Sequence, residues 1–289
     1  MKQITIISGK GGTGKTTLAS SFIKLAHDHI AVDCDVDAAN LHIMLSPDVQ
    51  KTEDFIGGEV AIISDECIQC GKCEELCRFS AISDSETDIK VDSIRCEGCG
   101  VCKEVCPVNA ISLSPGKQGE YFVSDTRFCP MVHARLDPGA ENSGLLVARI
   151  RNLAEDIAVK QNKKAIIIDG APGIGCPVIA SLNGVDYALI VTEPTISGIS
   201  DFKKAFEVTK FFNIKTFACI NKADINDDNT KIINDFCNNN GIELLGEIPY
   251  DEKVPKSLSK RQFIIDDPES KAGKKIKDIW NILKDKLYI

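Results

Sequence analysis

Gly9-Lys10-Gly11-Gly12-Thr13-Gly14-Lys15-Thr16 is the stretch on which the fold turns. It follows a β-branched run, Ile4-Thr5-Ile6-Ile7, and opens an amphipathic segment that reaches His27. In the order strand, loop, helix, the pattern G-x-x-x-x-G-K-[ST] is a phosphate-binding loop. Glycines let the backbone wrap closely around phosphate oxygens. The freed N–H groups and the helix N-terminus present positive potential to them. Lys15 is then expected at the β- and γ-phosphates and the Thr16 hydroxyl on Mg²⁺. A glycine-rich turn with a chance lysine is the alternative. A later strand ending in an aspartate, Ile166-Ile167-Ile168-Asp169, counts against it.

Outward from the loop, short apolar runs alternate with longer helical patterns. The runs are Ile4–Ile7, Ile30–Val32, Ala165–Ile168, Tyr187–Val191, Thr216–Ile220 and Leu244–Ile248. Amphipathic stretches lie near Thr16–His27, Gly144–Val159, Ser200–Phe212, Thr230–Asn239 and Glu269–Leu287. This alternation predicts an α/β fold, a mostly parallel sheet with helices on both faces. Its ligand is expected at the carboxyl edge of the strands.

The alternation breaks off after Ile56-Gly57-Gly58 and resumes near Glu141, and the gap is rich in cysteine. The chain has 13 cysteines among 289 residues, and eight of them fall between Cys67 and Cys106. An odd count and an N-terminus that enters a strand at once argue against a secreted disulfide framework and predict a cytoplasmic protein. A net charge of −8 argues against a nucleic-acid partner, and no apolar run is long enough to span a membrane.

Cys67-x₂-Cys70-x₂-Cys73-x₃-Cys77 is echoed by Cys96-x₂-Cys99-x₂-Cys102-x₃-Cys106, and an Ala-Ile pair follows each run. Both have the spacing of bacterial ferredoxins, in which the fourth cysteine of one run closes the other cluster. The expected sets are Cys67, Cys70, Cys73 and Cys106 on one [4Fe–4S] cluster, and Cys96, Cys99, Cys102 and Cys77 on a second. Zinc also takes four cysteines, but its ribbons use two pairs rather than two runs of four. Pro107 follows Cys106, whereas Arg78 follows Cys77, a charge able to raise the potential of the nearby cluster. A small ferredoxin-like α+β domain, residues 59–114, is thus expected as an insert in a frame of residues 1–58 and 115–289. Its core is read as clusters plus Ile82, Ile94 and Ile111.

Lys10 is a second lysine inside the loop. With it, Lys10-Gly11-Gly12-Thr13-Gly14-Lys15-Thr16-Thr17 resembles the deviant Walker A motif of the MinD/ParA/Mrp superfamily, P-loop ATPases with a SIMIBI-type sheet. The resemblance covers about residues 1–56 and 141–289. It implies ATP or ADP with Mg²⁺, held by Gly9, Gly11, Gly12, Thr13, Gly14, Lys15, Thr16 and Thr17. It also implies a nucleotide-sandwich homodimer in which Lys10 reaches the partner's ATP. Val32-Asp33-Cys34-Asp35-Val36-Asp37 is similar to the family's second strand and switch I. That similarity gives Asp35 to the attacking water and Asp33 to Mg²⁺, although three aspartates at a strand end also suit helix capping, Asp37 above all. Asp169 in the Walker B-like strand would stand on the Mg²⁺ side. Asn221 is implied at adenine and Pro249 beside the base. Asn221-Lys222-Ala223-Asp224 also matches the guanine-binding N-K-x-D pattern, so ATP follows from the resemblance.

The other cysteines are read mainly as packing, Cys176 as a small buried thiol at a helix start and Cys129 as core, with a shared metal site the alternative. His133 and Arg135 are read as part of a loop connector. The stripe Ile276, Ile279, Trp280, Leu283, Leu287 is read as a core helix over a membrane anchor. The function expected from the whole is ATP turnover that gates electron transfer to a redox partner. The rivals are an Mrp-type cluster carrier that serves a cluster-accepting protein, and a redox-sensing positioning ATPase.

Overall fold

The fold is taken from a computed structural model, which describes residues 1–85, 88–140 and 143–287. In chain order the strands are β1 (Lys2–Ser8), β2 (His29–Asp33), β3 (Asp48–Ile63), β4 (Ile82–Ser85), β5 (Asp88–Val91), β6 (Ile111–Asp125), β7 (Pro130–Leu136), β8 (Ala165–Pro172), β9 (Tyr187–Thr192), β10 (Lys215–Asn221) and β11 (Glu243–Ile248). The α-helices are α1 (Lys15–Leu25), α2 (Leu41–Leu45), α3 (Lys72–Glu75), α4 (Val101–Glu104), α5 (Ser143–Lys160), α6 (Cys176–Leu182), α7 (Ile196–Phe211), α8 (Asp227–Asn239), α9 (Lys253–Ser259) and α10 (Lys271–Leu287). None among the described residues is long and apolar enough to cross a membrane.

Two compact units divide the chain. The first is Met1–Thr52, Phe122–Ala134 and Ser143–Ile289; the second is Glu53–Tyr121 and Arg135–Asn142. The second is therefore wider than the span 59–114 read from the cysteines. Strands β3 and β6 run through both units, and their polar, half-exposed sequences carry little apolar signal.

In the first unit the strand order begins β11-β10-β9-β1-β8-β2-β7. Every pairing from β11 to β7 is parallel. The central strands β1, β2, β8 and β9 are rich in β-branched residues and buried along most of their length, as strands covered on both faces must be. Register does the functional work: Asp33 on β2 stands opposite Asp169 on β8, and Ile6 on β1 opposite Asp169 on its other side. A single sheet edge thus receives the ends of β1, β2, β8, β9 and β10.

The C-terminal stripe is core. Ile276, Ile279, Trp280, Leu283 and Leu287 on α10 are buried together with Phe22 of α1, whose ring lies 5.4 Å from that of Trp280. His133 and Arg135 belong to β7 rather than to a loop. The His133 ring stacks on Phe122 at 4.9 Å and shares a 2.9 Å hydrogen bond with the Ser124 hydroxyl. Burial lowers its pKa to about 4.

The second unit holds the cysteine repeat. Strands β4 and β5 form an antiparallel hairpin, and Ala61, Ile82, Ile89 and Ile111 make a small apolar cluster with Cys73. Ile94 is not in this core; it is 66% exposed. It lies in the turn that enters the second cysteine run, where its backbone N–H is tied to Asp92 and its side chain faces out.

Candidate functional site

The phosphate loop joins β1 to α1, with Gly12 and Gly14 at φ 78° and 90°, where a side chain is strained. A Cβ at Gly14 would run into Asn221, and one at Gly9 into Asp201 of α7. Gly11, Gly12, Thr13, Gly14, Lys15, Thr16 and Thr17 line a cavity of about 660 Å³ with Asp35, Asp37, Ala38 and Asn40. Its other wall includes Ile43 and Met44 of α2, Pro177 and Leu258. Asp37 faces this cavity and does not cap α2, which starts after Asn40 with no side-chain cap.

Lys15 is buried, and its Nζ lies 2.6 Å from Asp169 Oδ1 and 4.0 Å from Asp35 Oδ2. Burial opposes its charge, but Asp169, with Asp33 and Asp35 beyond, more than offsets this and raises its pKa. Asp33 is fully buried and accepts from the backbone N–H groups of Asp35 and Leu41, each at 3.1 Å. Burial, then the Asp169 charge opposite, pushes its carboxyl up to about 7. Asp35 is also raised, by burial first, against the pull of Lys15.

Two buried polar atoms here have no hydrogen-bond partner, Asp169 Oδ2 and Thr13 Oγ1. A buried polar group left unpaired costs roughly 1–3 kcal/mol. A cation beside Asp169 and an anion in the loop would satisfy both, so these residues fit Mg²⁺ and a phosphate.

Lys10 points out of the loop along α7. Its Nζ lies 3.1 Å from Ser197 Oγ, 3.3 Å from Thr195 Oγ1 and 3.7 Å from Glu193 Oε2. Glu193 also holds Lys222 at 2.5 Å. The carboxylate at the end of β9 thus ties the P-loop to the loop after β10. In the sequence Glu193 only follows an apolar run. Its two lysines are 183 and 29 positions away in the chain, so only tertiary contact brings them to it. Asn221 donates from Nδ2 to the carbonyl of Thr13 at 2.8 Å, bracing the phosphate loop. Pro249 lines a separate, acidic hollow with Asp224 and Glu247, not the cavity of the P-loop.

The eight clustered cysteines line two hollows in the second unit. Cys67, Cys70, Cys73 and Cys106 surround one. Cys77, Cys96, Cys99 and Cys102 surround the other. Backbone N–H groups donate to four of the sulfurs: Gln69 to Cys67, Ala61 to Cys96, Ala81 to Cys77 and Ala110 to Cys106, at 3.3–3.4 Å. Among the described residues no three His, Cys, Asp or Glu side chains gather closely enough to hold a single metal ion. Each hollow spreads its cysteines around an apolar space instead.

Outside the repeat, Cys129 lies in the main core, and burial raises its thiol to about 12. Cys176 begins α6 as expected, but it is exposed rather than buried, and Gly144 of α5 approaches so closely that a Cβ there would meet Cys176.

A mostly parallel sheet with a phosphate loop after its central strand, and two aspartates in register beside it, defines a P-loop nucleotide-binding protein. Residues 4–264 match the CobQ/CobB/MinD/ParA nucleotide binding domain, and the chain belongs to that family. An uncharacterized protein of Methanocaldococcus jannaschii is 36% identical, the alignment covering 98% of this chain and 96% of that one. The septum site-determining protein MinD of Bacillus subtilis is 25% identical over 93% of this chain and 84% of its own length. Among solved structures, MinD of Pyrococcus horikoshii in complex with Mg-ADP superposes with a TM-score of 0.58 at 19% identity, covering 99% of this chain and 97% of that one.

Proposed function

We propose that this chain is a cytoplasmic, Mg²⁺-dependent ATPase that closes as a homodimer on ATP and carries two [4Fe–4S] clusters in its second unit. ATP turnover would gate electron delivery from that unit to a redox partner. Family membership, the MinD–Mg-ADP fold match and the unpaired Asp169 and Thr13 oxygens support the ATPase part.

The nucleotide chemistry follows from groups already in place. Lys15 lies on Asp169. The β- and γ-phosphates of a bound nucleotide would be held by Lys15, and Mg²⁺ by Asp169, with Asp33 in register and Thr16 on α1. Asp35, at the cavity wall, is positioned to orient water on the γ-phosphate. Lys10 is directed away from its own phosphate loop, a geometry that suits a partner's nucleotide.

The observation that carries the iron–sulfur reading is the crossed grouping of the cysteines, three from one run with the fourth of the other around each hollow. N–H donation to the sulfurs is the surrounding such thiolates need. When bound, each cubane would supply reversible one-electron chemistry at low potential. Anoxic purification followed by iron and acid-labile sulfide analysis tests this. About eight of each per chain is the expected result, and zinc or no metal overturns it. ATPase assay of the same sample, with and without Mg²⁺, tests the other half.

A further inference from the structure

The two cysteine hollows are built on one repeat, from Cys67 to Cys96 a step of 29 residues. The backbone keeps the repeat closely. Positive φ occurs at Gln69, Gly71 and Ser80 (54°, 72°, 50°) and again at Gly98, Gly100 and Asn109 (62°, 77°, 55°). Equivalent residues therefore occupy equivalent places about their hollows.

At two of the places that line the hollows the repeat breaks in charge. Ile68 and Lys72 line the hollow of Cys67, Cys70, Cys73 and Cys106. Their counterparts, Glu97 and Val101, line the hollow of Cys77, Cys96, Cys99 and Cys102. One hollow has a lysine and no carboxylate in its lining; the other has a glutamate and no cation.

The hydrogen bonds to sulfur are matched in the two hollows. In the first hollow Cys67 and Cys106 accept backbone N–H groups at 3.4 and 3.3 Å; in the second Cys96 and Cys77 accept them at 3.4 and 3.3 Å. Each hollow has one exposed cysteine, Cys70 or Cys99. Glu66, Glu74, Arg78, Arg95 and Lys103 flank the cysteines but line neither hollow, which leaves Lys72 and Glu97 as the charged residues of the two linings. Potentials follow net charge, hydrogen bonds to sulfur and exposure. Charge is what differs.

We propose that Lys72 and Glu97 set the two centres at different potentials, the Lys72 centre higher. An added electron adds negative charge, which Lys72 favours and Glu97 opposes. An electron shared between the two centres would thus rest at the Lys72 centre. The inference rests on the iron–sulfur reading above.

The test is a redox titration of the full chain, purified without oxygen and followed by electron paramagnetic resonance. Each residue is replaced by its counterpart in the repeat, Lys72→Val and Glu97→Ile. Both side chains are exposed, so the fold is not at stake, and iron content checks that the centres are loaded. The wild type is expected to reduce in two steps at least tenfold apart in equilibrium constant, 59 mV for a one-electron couple. Lys72→Val should lower the upper step alone, and Glu97→Ile should raise the lower step alone. Coincident steps in the wild type, or both variants moving the same step, overturn the charge argument with the clusters intact. Absence of iron and sulfide overturns the cluster reading itself, and this inference with it.

Discussion

Glu193→Gln is the most informative single change. Glu193 is 9% exposed and sits 3.7 Å from Lys10, whose side chain is 32% exposed. To reach a partner's phosphate, Lys10 must leave this carboxylate and the Thr195 and Ser197 hydroxyls. Replacing the carboxylate by an amide removes the charge and keeps an oxygen that accepts from Lys222. With solvent reaching the lysine, the lost ion pair is worth about 1 kcal/mol. A sandwich dimer releases two such lysines, so the variant should favour the dimer by about 2 kcal/mol, roughly thirtyfold in the dimer dissociation constant. Sedimentation equilibrium with a non-hydrolysable ATP analogue measures it, and nucleotide titration at concentrations too low for dimer formation serves as the control. Dimerisation unchanged or weakened in the variant, with protomer affinity unchanged, refutes the idea that Glu193 holds Lys10 back. A wild type that stays monomeric with the analogue refutes the trans-acting lysine itself.

Three further predictions follow from the same geometry. Lys15→Ala should abolish nucleotide binding and also lower stability by about 3–5 kcal/mol, because it leaves buried Asp169 without its counter-charge; calorimetric titration and urea unfolding report the two effects separately. Asp33 keeps its proton to about pH 7 in the folded chain but only to about 4 when unfolded, so the folded state binds the extra proton between these values and ligand-free stability should fall as pH rises from about 4 to 7. Urea unfolding across that range should show a shallower fall in Asp33→Asn, and added Mg²⁺ should restore stability most at the upper end. Trp280→Ala should cost about 3–5 kcal/mol, since the ring is buried against Phe22; a loss below 1 kcal/mol by chemical denaturation would show that α10 is not the core element described.

Much of this molecule was written in local sequence. The phosphate loop, the alternation of buried strands with amphipathic helices and the paired cysteine runs are short-range patterns, because a turn that wraps a phosphate, or a loop that presents three thiolates, is made by neighbouring residues. The long strands β3 and β6 and the shorter β7 were not legible. The charged and glycine-containing sequences of β3 and β6 lack dense apolar alternation, and His133 of β7 reads as a loop residue without its neighbours Phe122 and Ser124. Tertiary structure decided the rest. Strand register set Asp33 against Asp169, and the meeting of separate loops brought Glu193 to Lys10 and Lys222. Those contacts join residues remote in the chain, and a sheet edge assembled from separate strands exists only once the strands have paired.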